Sequence, residues 1–244
     1  YVTHSYSGDN RELRPLVLLV HGGGFTDEFG TINSDPMLEL ADYLVKNGYY
    51  VIQTDYQPTC IGYENHDVGI EDFKTNNNDK CSGIYGLELV KSQTTVFIDE
   101  FVSNTNLVFD RSKIGVVGAS VGGFGSLLLT SPHVKAIVSL AGGALEEYTP
   151  IVPFYQVTGD ADEIVSWSSY ARNVMTPNGF LNCHTPDNSN GNDVRAEPTL
   201  EFSSFPCAHR LKNIGHILPN WLGTKAPFIY GNIDTLFKTI FLSN

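Results

Sequence analysis

The sequence predicts an α/β fold in which helices cover both faces of one doubly wound, mostly parallel sheet. Three observations support this prediction. Short, continuously apolar segments recur along the chain, as they do in strands that are buried on both faces. Segments with the apolar spacing of a helix alternate with them. The length, 244 residues, is enough for one domain with a sizeable core, and we expect a single domain over residues 1–244.

Five segments are predicted to be strands. The segment from Leu16 to Val20 contains only apolar residues, which is typical of a strand in the interior of a parallel sheet. The pattern predicts no strand before residue 16. The predicted strands are 16–20, 50–54, 114–117, 136–140 and 154–157.

Four segments are predicted to be helices. The first has well-defined ends, because Asp35 can cap it, Pro36 fits its first turn and Asn47-Gly48 ends it. Its apolar residues recur at i, i+3, i+4 and i+7, and the last predicted helix has the same spacing. The predicted helices are 35–46, 84–103, 122–129 and 232–242.

Two polar stretches, near 57–83 and 176–208, interrupt this alternation. Both are rich in Asn, Asp, Gly and Pro, so we expect loop insertions. They either line a pocket beyond the carboxyl ends of the strands or are surface loops without a role in binding.

The chain has four cysteines, and each polar stretch contains two of them. An even number in a chain with few lysines suggests a secreted or extracytoplasmic protein, whereas four free or buried thiols in a cytosolic protein are the alternative. Spacing alone suggests one of the three possible disulfide pairings, namely Cys60–Cys81 and Cys183–Cys207.

The charge balance argues against two kinds of partner. With 15 Lys and Arg against 27 Asp and Glu, the net charge is −12, and no basic face is available for a nucleic-acid backbone or an anionic membrane surface. No stretch approaches the roughly 20 apolar residues that a membrane span needs. We therefore expect neither nucleic acid nor a membrane as partner.

The motif Gly118-Ala119-Ser120-Val121-Gly122 lies between a predicted strand and a predicted helix. In that position G-x-S-x-G is typical of a nucleophile elbow, a sharp turn that exposes the serine hydroxyl. The following helix directs its free amide groups toward the same point. A tight glycine-rich turn with an unreactive serine is the alternative.

The motif His21-Gly22-Gly23-Gly24-Phe25 directly follows the first buried strand. Glycines let the main chain approach a substrate carbonyl, and we assign the N–H groups of Gly23, Gly24 and Val121 to an oxyanion hole. His21 is interpreted as a brace for this loop. A phosphate-binding loop is a poorer interpretation, because the lysine of such loops is missing.

A nucleophilic serine needs a base, and the base needs a carboxylate that orients it. Asp160 and Asp162 both follow the strand 154–157, and we favour Asp162 because it lies deeper in the loop. For the base we favour His216, which follows a glycine near the C-terminus, over His209. The order Ser, Asp, His along the chain is the one that this topology uses.

Zinc is an alternative use for two cysteine–histidine pairs, Cys183-His184 and Cys207-Ala208-His209. Their spacing matches no common zinc finger, and disulfides explain the cysteines equally well. We therefore expect no metal and no organic cofactor.

The two glycine motifs, in this order, make the chain similar to the α/β-hydrolase fold esterases, in particular the carboxylesterase and acetyl-esterase group. Asp55-Tyr56 resembles the Asp-Tyr-Arg stretch of these enzymes, with Gln57 in place of the arginine. The resemblance implies a nucleophile, an acid, a base and three oxyanion donors at Ser120, Asp162, His216, Gly23, Gly24 and Val121.

Two departures narrow the resemblance. The hormone-sensitive-lipase-like members usually have Gly-Asp-Ser-Ala-Gly at the elbow, whereas this chain has Ala119 and Val121. Those members also have a large N-terminal cap, whereas only 15 residues precede Leu16 here. We therefore expect no large cap domain, and the chain looks closer to compact feruloyl, acetyl-xylan or polyester-cleaving esterases. Four aromatic residues beside the motifs are candidate substrate contacts: Phe25, Tyr56, Phe124 and Trp167.

The expected function is serine-dependent hydrolysis of carboxylic esters through an acyl-enzyme intermediate. The resemblance suggests short-acyl or aryl esters, such as acetyl or feruloyl groups on polysaccharide, or polyester, as small-molecule or polymer-attached substrates. The alternatives are a serine peptidase of the same fold and a non-catalytic binding module on a hydrolase scaffold.

Overall fold

The computed structural model describes most of the sheet and the helices around it. The described residues are 2–4, 13–22, 35–54, 83–146, 148, 150–166, 172–174, 207–211, 215–216 and 218–242. Most of the two predicted polar stretches, residues 57–82 and 176–206, therefore lies outside the described residues.

Seven strands of the described residues form one sheet in the order β1-β3-β2-β4-β5-β6-β7. All neighbouring strands are parallel except β1 and β3, which are antiparallel. The strand order reverses between β2 and β4, and ligands of such sheets bind beyond the carboxyl ends of the strands at a reversal of this kind. The strands are β1 (Val2–His4), β2 (Pro15–Val20), β3 (Tyr50–Thr54), β4 (Asp110–Ala119), β5 (Val134–Leu140), β6 (Phe154–Gly159) and β7 (Cys207–Leu211).

The five predicted strands are confirmed, and two further strands were not predicted. β1 and β7 are the outermost strands of this sheet, each paired with a single neighbour in the described part of the chain. An outer strand does not need a continuous apolar segment, and β7 contains the polar residues His209 and Arg210. The prediction of a loop over 176–208 is therefore wrong at its end, where β7 begins.

In the described part of the chain, four helices flank the sheet. The first two agree with the prediction to within one residue, and α3 ends two residues earlier than expected. The last helix begins at Leu218 instead of 232, so it continues through Pro227 and Gly231, two residues that lower helix propensity. The helices are α1 (Asp35–Lys46), α2 (Gly83–Asn104), α3 (Val121–Leu127) and α4 (Leu218–Leu242).

The sheet separates two hydrophobic clusters. Helices α2 and α3 pack on one face, and α1 and α4 pack on the other. Successive strand residues contribute to opposite clusters, as Val116 and Val117 do, which explains why the central strands are apolar throughout. Among the described helices, none has the length and hydropathy that crossing a membrane requires.

Candidate active site

Ser120 occupies a strained turn between β4 and α3. Its φ is 50° and its ψ is −119°, a conformation that L-amino acids rarely adopt. Two main-chain hydrogen bonds hold it there: its N–H donates to the Leu140 carbonyl at 2.7 Å, and its carbonyl accepts the Phe124 N–H at 3.0 Å. Strain of this kind costs on the order of 1–3 kcal/mol and is concentrated at functional sites.

The two glycines of the motif are required by close main-chain packing. A Cβ atom on Gly118 would overlap the carbonyl oxygen of Gly122 and the hydroxyl of Ser126. A Cβ atom on Gly122 would overlap the carbonyl oxygens of Val20 and His21, at the end of β2. Both overlaps involve main-chain atoms, so only glycine fits on either side of the serine.

His216 lies two residues before α4, at the same edge of the sheet as Ser120. Its Nε2 atom is 2.9 Å from Ser120 Oγ. The imidazole is 16% exposed, so it is packed in place and still reachable from solvent. This distance lets the serine hydroxyl donate a hydrogen bond to the imidazole.

Asp162 lies in the loop after β6, and its side chain is fully buried. Its Oδ2 atom is 2.9 Å from His216 Nδ1, while Oδ1 accepts the N–H groups of Ile164 at 3.0 Å and Val165 at 2.7 Å. An ionised carboxylate can only accept, so this contact favours the tautomer of a neutral His216 that has its proton on Nδ1. In that tautomer Nε2 is the acceptor that faces Ser120.

The structure distinguishes the two candidate acids. Asp162 contacts His216, whereas Asp160 is half-buried at the end of β6, where its N–H donates to the Leu211 carbonyl at 2.9 Å. His209, the competing base, is in β7 opposite Val157, and its side chain is outside what the structure describes.

Comparisons with known proteins identify the fold. No protein-family model matches the sequence, and no curated protein matches it. Among solved structures, an α/β serine hydrolase homologue from Coxiella burnetii is 14% identical, with a TM-score of 0.51 over 91% of this chain and 87% of that one. A protein of unknown function from Agrobacterium tumefaciens, described as a candidate α/β hydrolase, is 13% identical, with a TM-score of 0.52 over 96% of this chain and 88% of that one.

The chain has the α/β-hydrolase fold. In this fold the serine follows the strand at the centre of the sheet and the histidine comes last in the chain. Here Ser120 follows β4, the loop that contains Asp162 follows β6, and His216 precedes α4. The described elements are those of the sheet and its flanking helices, and none of them forms a large cap.

The predicted oxyanion hole is described in part. Val121 is the first residue of α3, so its N–H has no acceptor within the helix. Gly22 lies against the elbow, where a Cβ atom would be 3.0 Å from Ser120 Cβ. Gly23 and Gly24 follow directly and lie outside the described residues, so their assignment stays a prediction.

His21 is buried, and its Nδ1 atom forms a hydrogen bond with the Gly22 carbonyl. This contact agrees with a role as a brace for the loop that begins there.

Of the predicted substrate contacts, the structure describes only Phe124. Its ring is 6% exposed and packs in the cluster beneath α2 and α3, which leaves little of it for a substrate. The other three, Phe25, Tyr56 and Trp167, lie outside the described residues, so all four assignments stay predictions.

Tyr148 was not singled out by the sequence. It follows β5, and its N–H donates to the Asn173 carbonyl at 3.0 Å, while the Asn173 side chain donates to the Ala144 carbonyl at 2.9 Å. These bonds join the segments that follow β5 and β6. Partial burial raises the pKa of the Tyr148 phenol, so it stays neutral near pH 7. No sequence motif marks this tyrosine.

The zinc alternative involves residues that the structure does not describe, since Cys183 and His184 are outside the described ranges. Within those ranges, no group of three His, Cys, Asp or Glu side chains could hold a metal ion. Cys60 and Cys81 are also outside them, so both disulfide pairs stay predictions.

Proposed function

We propose that this protein hydrolyses carboxylic esters through an acyl-enzyme intermediate on Ser120. One observation carries the proposal: two hydrogen bonds of 2.9 Å join Ser120 Oγ to His216 and His216 to Asp162. A hydroxyl, an imidazole and a buried carboxylate in this order make a serine nucleophilic near neutral pH. The strained elbow at the switch point of an α/β-hydrolase fold supports the same assignment.

In the acylation step, His216 Nε2 takes the proton from Ser120 Oγ while that oxygen attacks the ester carbonyl carbon. The imidazolium then donates this proton to the leaving alcohol as the carbon–oxygen bond breaks. Asp162 stabilises the imidazolium, and the N–H groups of Ile164 and Val165 hold its carboxylate in place. Water then attacks the acyl-enzyme with His216 again as base, and the free serine is restored.

The negative oxygen formed during attack needs donors on the other side of the serine. The proposed donors are the N–H groups of Val121, at the start of α3, and of Gly23 and Gly24, in the loop after β2. Removing one such donor typically costs about 3–4 kcal/mol of transition-state stabilisation. The contact between Gly22 and the elbow supports this arrangement, because it holds the start of the loop beside Ser120.

For the substrate we propose short-acyl or aryl esters, such as acetyl or feruloyl groups on polysaccharide, or a polyester. The support is the resemblance of the two glycine motifs to the carboxylesterase and acetyl-esterase group and the aromatic residues beside the motifs, Phe25, Tyr56 and Trp167. A partly exposed imidazole fits a site that admits an ester attached to a larger molecule.

Labelling with a fluorophosphonate, followed by assays of nitrophenyl esters of graded acyl length, tests the proposal. The wild-type protein should be labelled and should prefer short acyl groups, and Ser120→Ala should lose labelling and at least about 10⁴-fold in kcat. Ser126→Ala is the matched control, because Ser126 is a buried serine in the adjacent helix α3. The Ser126→Ala variant should keep both the fluorophosphonate labelling and the kcat of the wild-type protein.

Other outcomes would favour the alternatives. Faster turnover of peptides than of esters would favour a serine peptidase. A folded wild-type protein that is not labelled at all would contradict the proposal and favour a binding module.

We also propose a secreted or extracytoplasmic location with two disulfides, on the even cysteine count alone. A mass gain of about 4 Da on reduction, with peptide mapping of Cys60–Cys81 and Cys183–Cys207, would support this. No gain would favour free thiols.

A further inference from the structure

The turn after β5 supports the strained serine. The Ser120 N–H donates to the carbonyl of Leu140, the last residue of β5. The next residue, Ala141, has a φ of 50°, and in the described part of the chain Ser120 and Ala141 are the two non-glycine residues with positive φ. Such a backbone persists only where the surroundings fix it. The two strained segments of the described chain are therefore bonded to each other.

Gly142 joins this turn to the start of α3. A Cβ atom on Gly142 would lie 2.7 Å from the carbonyl carbon of Gly123 and 2.8 Å from the nitrogen of Phe124. The N–H of Phe124 in turn donates to the Ser120 carbonyl at 3.0 Å. A shift of Gly142 therefore displaces the first turn of α3, which carries the Val121 N–H, and the serine with it.

Strand β6 holds the turn through two hydrogen bonds. The Ala141 N–H donates to the Val157 carbonyl at 2.8 Å, a bond that depends only on the main chain. The Gln156 side chain donates from Nε2 to the Gly142 carbonyl, also at 2.8 Å. Only the second bond depends on which side chain occupies the position.

Gln156 is an unusual residue for this position. It is 0% exposed, and its two neighbours along β6, Tyr155 and Val157, are counted among the buried hydrophobic residues. Its Oε1 atom has no hydrogen-bond partner among the described groups. A buried acceptor without a partner is destabilising, so an apolar side chain would fit this strand better on packing grounds alone. What the Gln156 amide adds is a hydrogen-bond donor to the Gly142 carbonyl.

We propose that Gln156 is a positioning residue for the ester hydrolysis proposed above. Its amide fixes the Gly142 carbonyl, and through the turn and α3 it fixes the Ser120 hydroxyl and the Val121 N–H relative to each other. Gln156 does not contact the substrate. The inference rests on the proposed function, because it concerns the geometry of that reaction.

The test compares Gln156→Met, which has a similar length and no donor, with Thr158→Val. Thr158 lies two residues further on the same face of β6, is also 0% exposed, and its hydroxyl has no hydrogen-bond partner among the described groups. Fluorophosphonate titration counts the active sites, so that an unfolded fraction does not affect kcat. Gln156→Met should lower kcat per site about tenfold with KM within about twofold, as expected for a small displacement of reacting groups. Thr158→Val should leave both unchanged.

Gln156→Glu adds a measurement that a packing role would not affect. The protonated carboxyl can donate to the Gly142 carbonyl, whereas the ionised carboxylate cannot. Burial favours the protonated form, so this variant should keep a kcat per site close to wild type at low and neutral pH and lose it only as the pH rises enough to ionise the carboxyl. It gives the same information if the methionine variant does not fold.

Two results would overturn the inference while leaving the proposed function intact: an unchanged kcat per site in Gln156→Met, or a kcat per site in Gln156→Glu that stays about tenfold below wild type even at the lowest pH at which the wild type is active. A wild-type protein that neither reacts with the fluorophosphonate nor hydrolyses esters would instead overturn the proposed function, and this inference with it.

Discussion

Asp162 and Asp234 are the two buried aspartates of the described chain, and their surroundings differ in an instructive way. Asp162 accepts two main-chain N–H groups on one oxygen and faces the His216 imidazole with the other. Asp234, in α4, accepts the hydroxyl of Tyr49 at 2.9 Å on one oxygen and lies 2.6 Å from Lys238 Nζ with the other. Both clusters thus contain a buried carboxylate, a nitrogen group and a hydroxyl.

The difference is the order of the groups and their place in the fold. In the Asp234 cluster, formed by Tyr49, Asp234 and Lys238, the hydroxyl donates directly to the carboxylate, and no base lies between them. Burial and the charge of Asp234 raise the pKa of Tyr49, so its phenol stays neutral. Tyr49 precedes β3, at the amino ends of the parallel strands, whereas Ser120 follows β4 at their carboxyl ends. Residue types alone therefore do not make a nucleophilic site.

The largest expected effect in this comparison is that of Asp162→Asn. The N–H groups of Ile164 and Val165 should hold the amide oxygen where Oδ1 is now, so the amide nitrogen would face His216 Nδ1. The imidazole proton would then move to Nε2, and Ser120 would lose its acceptor. We expect kcat for a nitrophenyl ester to fall about 10⁴-fold.

Asp160→Asn is the control for this change, with an expected kcat within about twofold of wild type. If the Asp160 variant were the inactive one, the assignment of the acid would be wrong.

The Asp234 cluster should affect stability and leave catalysis unchanged. Tyr49→Phe removes a buried donor to a carboxylate that keeps its partner Lys238, and we expect a loss of about 1–2 kcal/mol in the free energy of unfolding. Urea unfolding and ester assays on the same samples measure both quantities. Tyr43→Phe, a half-buried tyrosine on α1, should change stability by less than about 0.5 kcal/mol. A tenfold fall in kcat for Tyr49→Phe would contradict the expectation that the Asp234 cluster affects stability and leaves catalysis unchanged.

The smallest effect is a pH dependence. Because the folded pKa of Tyr49 is raised, its contribution to stability is complete below the unfolded value near 10 and is lost as the pH rises above it. Tyr49→Phe should therefore lose about 0.8 kcal/mol less stability than wild type between pH 8 and pH 10.5. Unfolding midpoints across this range measure the difference. If both proteins lose equal stability over this range, Tyr49 ionises as readily in the folded state as in the unfolded state.

The central part of the fold was predictable because strands buried on both faces contain almost only apolar residues. The segments 16–20 and 114–117 have this property, whereas β1 and β7 lie at the edges and do not. The start of α4 was missed because Pro227 and Gly231 lower helix propensity, while packing of Ile229 and Ile233 on the sheet favours the helix.

The candidate site was predictable where a motif marks it. The elbow motif indicated Ser120, and chain order indicated Asp162 and His216, which the structure brings into hydrogen-bond contact; their catalytic roles remain proposals. Gln156 could not be found in this way. Its partner is the main-chain carbonyl of Gly142, and a main-chain acceptor leaves no trace in the sequence.

Packing of helix α4 against Gly115, in the centre of the sheet, connects that glycine to the candidate active site. The ring of Phe237 occupies the space next to Gly115 in β4, and even a methyl group at that glycine would overlap it. β4 leads to Ser120, and α4 begins two residues after His216. A random-mutagenesis screen for inactive variants should therefore recover substitutions of Gly115 together with those of the proposed reacting residues, although Gly115 is buried in the centre of the sheet.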